Sequence, residues 1–220
     1  ASLDGDVRRD LRGLSADRAD QVAGHLAAAG ALIDDDPALA LEHARTARAL
    51  GSRLAVTREA AALTAYAAGE YREAAAELRA FRRMGGSAEH LAVLADCERA
   101  MGRPERALAM LEDPDVGRLD PSSRIELLIV ASGARRDLGD VAAAVSLLEV
   151  RELDSSAVRP WTARLWYAYA DALAQAGRTA DAVQWFTAVS AIDDGETDAD
   201  ERLDELTTDE PALGEATPEL

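Results

Sequence analysis

Few of the residues able to do acid–base, nucleophilic or metal chemistry stand at the spacings such chemistry needs. The run Asp34-Asp35-Asp36 has the composition of a cation site or a carboxylate acid/base pair. Pro37 follows it, however, and an aspartate ahead of a proline opens a helix, its carboxylate accepting N–H groups of the first turn. The run is therefore read as a cap. A helical zinc pair needs histidines roughly three to five residues apart, and His25, His43 and His90 are not so spaced. Each is read as a solvent-facing or hydrogen-bonded side chain. Cys97 lies two turns beyond His90 on one helical face, outside thiolate–imidazole reach, and is read as a small buried apolar residue. No GxSxG, no phosphate-cradling glycine loop and no CxxC occurs. This reading assigns no catalytic residue, no cofactor and no metal ligand, and expects a non-enzymatic protein.

What the chain has in abundance is material for helices. Of its 220 residues 48% are hydrophobic but only 4% aromatic, and alanine, the strongest helix former, supplies about a fifth. All 24 basic residues are arginine, a bias that with the Ala, Asp, Gly and Val content points to a GC-rich, actinobacterial type of genome. A single cysteine rules out an internal disulfide framework and fits a reducing compartment, hence the cytoplasm. No stretch reaches the roughly 18 to 20 apolar residues of a membrane span, and no charged-then-apolar leader opens the chain. It begins at Ala1 without a methionine, as a fragment of a longer protein would.

The net charge of −17 is uneven. Residues 193–220 hold 12 acids against Arg202 alone, −11, and residues 1–192 hold 29 acids against 23 arginines, −6. The self-repulsion, Pro211 and Pro218 predict disorder after about Leu206, with Asp198 to Leu206 forming a short capping helix that turns Leu203 and Leu206 inward. A matching amphipathic cap is expected over residues 1–14.

Between these ends a motif recurs: AAGEYREAAAEL (67–78), AMGRPERALAML (100–111), DLGDVAAAVSLL (137–148) and QAGRTADAVQWF (175–186). Gly69, Gly102, Gly139 and Gly177 are placed to reverse the chain between two helices; Asp140, Thr179 and Pro104 suit the start of the second helix. Five residues past each glycine stands an alanine, Ala74, Ala107, Ala144 and Ala182, small enough for the two helices to approach closely. The intervals are 33, 37 and 38 residues, and Asp34-Asp35-Asp36-Pro37 with Ala40 lies one period upstream of Gly69, which makes five units. They fall near 21–51, 55–84, 88–113, 125–151 and 163–194, within an array over 15–194; residues 195–220 form the acidic cap and tail. The fold class predicted is all-α, a stack of helical hairpins with loops at 113–123 and 152–160 absorbing the longer intervals.

The fifth unit carries a family signature. Trp166, Tyr169, Ala170 and Leu173, then Gly177, Ala182 and Phe186, resemble the bulky and small positions of the tetratricopeptide repeat, with Asp194 near the place of the family's closing proline. Gly69, Tyr71 and Ala74 make the second unit the next best match, and the first and fourth are degenerate. The resemblance covers residues 21–194 and extends to actinobacterial tetratricopeptide proteins. It implies a right-handed superhelical solenoid whose first helices line a concave groove that grips a peptide or helix of a partner protein.

Residues placed to face such a groove are His25, Glu59, Tyr66, Asp96, Arg99, Arg103, Arg136, Tyr167 and Asp171. Chaperone-binding members of the family clamp a C-terminal carboxylate with lysine and asparagine; this chain has neither. Six of the nine aromatics gather in the last unit, of which Trp161, Tyr167 and Trp185 are the less constrained and are candidate partner anchors. If Arg99, Arg103 and Arg136 met along the groove, they would favour an acidic peptide, a phosphate backbone or the protein's own tail as an autoinhibitor. The leading reading is a protein-interaction scaffold. The alternatives are an RNA- or ribosome-associated factor and the sensor region of a larger transcriptional regulator. The acidity disfavours direct nucleic-acid binding by these residues.

Overall fold

The computed structural model describes residues 11–154, 157–193, 195 and 197–208, and its described residues are all-helical. Among the described residues eleven α-helices follow one another: α1 (Ala16–Leu32), α2 (Pro37–Leu50), α3 (Ala55–Ala67), α4 (Tyr71–Arg83), α5 (Leu91–Ala100), α6 (Pro104–Leu108), α7 (Pro121–Asp137), α8 (Val141–Leu148), α9 (Thr162–Gln175), α10 (Thr179–Ser190) and α11 (Ala199–Thr208). None is long and apolar enough to cross a membrane. The contacts divide the chain into two compact units, residues 1–130 and 131–220, the division falling inside α7.

Four reversals share one geometry. Gly69, Gly102, Gly139 and Gly177 have φ between 72° and 78°. The N–H after each glycine reaches back to a carbonyl of the preceding helix: Glu70 to Ala65, Arg103 to Glu98, Asp140 to Arg135 and Arg178 to Leu173, at 2.8 to 2.9 Å. These are Schellman bonds, which satisfy carbonyls the helix end would leave bare and turn the chain in three residues. So abrupt a turn brings two helices into close contact, and Ala74, Ala107, Ala144 and Ala182 are all at 0% exposure.

Helix starts follow the predicted chemistry with one shift. Asp36 Oδ1 accepts the Leu39 N–H at 3.0 Å with Pro37 at the first helical position, and Asp140 Oδ1 accepts from Ala143 at 3.3 Å. Pro104 opens α6. Thr179 is the first residue of α10, with Arg178 at the cap position. Helix α6 is short and runs on as a 3-10 turn over Ala109–Glu112, because Pro114 holds Asp113 extended (φ −64°, ψ 133°) and ends the helix there.

In the first unit each helix from α1 to α5 packs on its successor. One core runs through α2 to α5, from Leu41, Ala62 and Ala65 to Ala75, Leu78, Leu94 and Cys97. Leu11, in a 3-10 turn over Leu11–Gly13, packs with Val22, Leu26 and Ala47; residues 1–10 of the expected cap lie outside the described residues. In the second unit α8 packs on α9, α9 on α10 and α10 on α11, and Ser132 Oγ donates to the buried Ala144 carbonyl at 2.9 Å, joining α7 to α8. A helix, α11, occupies most of the stretch expected to cap the array, with Ala199 buried and Leu203 and Leu206 half-buried. The acidic tail from residue 209 lies outside the described residues.

Alanine-rich interfaces leave little apolar area, and charge pairs supplement them. Glu98 is fully buried and meets Arg79, Arg103 (3.5 Å) and Arg106 (3.9 Å). Glu77 meets Arg48 at 2.8 Å and Arg58 at 2.7 Å. Arg82 grips Asp113 with two bonds of 2.8 and 3.0 Å, tying α4 to the turn after α6.

Two outcomes follow. Gly177 has φ +76° with open space at the Cβ position; Gly177→Ala is expected to lose about 1–2 kcal/mol from backbone strain alone. Gly24→Ala, on the exposed face of α1, is expected to gain about 0.5–1 kcal/mol, and chemical denaturation of both variants checks the opposite signs. The Arg82 hydrogen bonds hold the Asp113 carboxyl below its ordinary 3.8. A depressed folded value means the pair stabilises fully above 3.8 and fades as pH falls through that folded value. Melting curves should therefore show Arg82→Ala less stable than the parent at neutral pH, with the gap closing in acid.

Candidate interaction face

Successive first helices stand side by side within each unit, and their polar side chains meet. In the first unit Tyr66 on α3 donates its hydroxyl to Asp96 on α5 at 2.6 Å, and Asp96 also accepts from Arg99 at 3.3 Å. Two turns earlier on α3, Glu59 meets His90 Nε2 at 2.7 Å. Burial and then the Asp96 carboxylate hold the Tyr66 phenol proton well above its ordinary range, so this hydroxyl is a permanent donor. His25 on α1 faces His43 on α2, Nδ1 to Nδ1 at 2.9 Å, one nitrogen donating and the other accepting.

The second unit repeats the pattern. Asp171 on α9 takes Arg136 Nη2 at 2.6 Å on one oxygen and Arg202 Nη2 at 2.9 Å on the other, with Arg136 Nε donating to Gln175 at 2.6 Å. Arg202 also lies 5.7 Å over the Phe186 ring. Tyr167 donates to Asp198 at the foot of α11, and burial followed by that carboxylate raises its proton affinity too. Tyr66 with Asp96, Glu59 with His90, Tyr167 with Asp198 and Asp171 with Arg202 are separated by 30 or 31 residues, close to the repeat interval.

All nine predicted residues take part in polar contacts between neighbouring helices or along one helix. Arg103 is different: it stands at the start of α6 against the buried Glu98. Within the first unit Arg99 and Arg103 serve separate carboxylates, Asp96 and Glu98. Of the candidate anchors, Trp185 is wedged edge-on between Trp166 (5.7 Å) and Tyr169 (5.3 Å), Tyr167 packs on Phe186 (5.4 Å), and Trp161 is half-buried at the start of α9. Trp166 donates to the Leu153 carbonyl at 3.0 Å and pins the turn after α8.

No family model and no curated protein matches the chain. Its chemistry is therefore read from its own residues. The pairing partners His43, Asp198 and Arg202, and the buried Glu77 and Glu98, escaped sequence reasoning. A polar residue about 31 positions after a predicted groove residue was the available signal for Asp198 and Arg202.

Cys97 is at 0% exposure in the α2–α5 core, and burial, aided by Asp96 and Glu98 beside it, pushes its thiol up to about 12. A thiol reagent at pH 8 is expected to leave the native chain untouched and to modify one thiol per chain once denaturant is added.

Proposed function

We propose that this protein is a tetratricopeptide-type scaffold, a solenoid of five helical hairpins that binds a peptide or helix of a partner protein on the face presented by its first helices. The observation that carries the reading is the row of half-buried polar groups shared by neighbouring first helices in each unit, Tyr66, Asp96 and Arg99 in one and Arg136, Asp171 and Arg202 in the other. Such groups are held in fixed positions by one another, and the carboxylates keep further acceptor sites for an incoming chain, since each has four lone-pair sites. Preorganised polar side chains reduce the ordering cost of binding. The four like turns at Gly69, Gly102, Gly139 and Gly177 support the repeat reading independently. The partner is a cytoplasmic protein, and its segment should present both charges, because each face pairs carboxylates with arginines.

The test is capture from lysate of the source organism with ribonuclease present, comparing the parent with Tyr66→Phe/Asp96→Asn and with Asp171→Asn. The expected result is one stoichiometric protein retained by the parent and reduced at least about tenfold, roughly 1.4 kcal/mol, by a variant whose circular dichroism is unchanged. Equal capture by parent and both variants would overturn the assignment of the face. Retention of ribosomal proteins only when ribonuclease is omitted would overturn the scaffold reading in favour of RNA association.

A further inference from the structure

Glu59, Glu89 and His90 converge in the first unit from two separate stretches of chain. Glu59 projects from the first turns of α3, while Glu89 and His90 close the turn that leads into α5, where His90 is the cap residue. His90 Nε2 lies 2.7 Å from a Glu59 oxygen and 3.6 Å from a Glu89 oxygen, and one donor atom from each residue falls within 4.8 Å of the other two. Tetrahedral zinc with bonds of 2.0–2.2 Å sets its ligand atoms roughly 3.3 Å apart. Small side-chain rotations would bring all three donors to that spacing.

The charge balance around the three residues points the same way. Several carboxylates elsewhere meet arginine: Glu73 with Arg45, Glu77 with Arg48 and Arg58, Glu98 with Arg79, Asp113 with Arg82, Asp171 with Arg136 and Arg202. Among the described residues no arginine pairs with Glu59 or Glu89; His90 alone stands between them. Two carboxylates facing one imidazole form a donor set that favours a borderline divalent cation, imidazole suiting zinc and the carboxylates completing the shell. The His90 ring is held against Phe81 at 5.7 Å between centroids, which fixes the direction of Nε2. Glu89 is half exposed and also lines an open cleft with Gly86, Asp115 and Arg118, so an ion has a path in.

We propose that Glu59, Glu89 and His90 bind one zinc-class divalent cation, each through one atom, leaving a fourth position open to water or to a donor of a docked partner. Bound there, the ion clamps α3 to the entry of α5. The site stands whether or not the polar face takes a partner, and its test uses no partner.

Zinc chloride titrated into the full chain by calorimetry should give one saturable ion per chain, and cobalt(II) should give absorption bands of a low-symmetry, nitrogen-containing site. Glu89→Gln, at a half-exposed turn where folding is not at stake, and His90→Ala should each weaken zinc at least about tenfold and remove the cobalt bands. The double variant His25→Ala/His43→Ala, which deletes the two other imidazoles, should stay within about twofold of the parent. The absence of saturable zinc binding by the parent overturns the proposal. So does binding that Glu89→Gln leaves intact, or that is lost only in the His25/His43 variant.

Discussion

The structure depends on how closely two helices can approach after a three-residue reversal. A glycine at positive φ, followed by the N–H that reaches back five residues, leaves no room for the second helix to stand off. The residue facing the first helix one turn later must then be small, and Ala74, Ala107, Ala144 and Ala182 are buried without remainder. Larger side chains at those positions would overpack and force the pair apart. Glycine and alanine are therefore a single device: the turn requires the gap to be narrow, and the alanine makes a narrow gap possible.

That device has a cost elsewhere. Burying an alanine removes little apolar surface from water, so hairpins made this way gain less from the hydrophobic effect than hairpins packed through leucine or phenylalanine. The chain meets this with large residues between hairpins, such as Leu78, Leu91 and Leu94, and with arginine–carboxylate links whose long stems cover apolar surface while their heads pair. Glu98 shows the asymmetry of such links. Its carboxylate is fully buried while the arginines around it remain partly in water. Deleting the arginines would strand a buried charge, whereas deleting the glutamate would release cations to solvent, which costs less.

The same geometry sorts residues into two kinds of surface. Second-helix carboxylates and arginines close over each other and act as fasteners, as Arg45 with Glu73 and Arg48 with Glu77. First-helix residues also pair, at 30 to 39 positions, but with hydroxyl, amide and imidazole groups among the ions, so Tyr66, Asp96, Gln175 and His90 retain unused hydrogen-bonding capacity. Glu59 and His90 belong both to this pairing and to the convergence with Glu89.

The sequence by itself determined the local events. The turn glycines, the alanines after them, the aspartate caps at Asp36 and Asp140, the early end of the third pair at Pro114 and the short helix α11 all follow from backbone chemistry within a few residues, which an amino-acid string displays directly. Period and helical register also predict which side of its helix a residue occupies. Only the tertiary structure decided what those residues touch. The pairing of His25 with His43, the meeting of Glu59 with His90 and the burial of Glu77 and Glu98 depend on the crossing of helices far apart in the chain. A long polar side chain reads alike whether it ends in water or against a partner about 30 residues away, and the angle between two packed helices decides which.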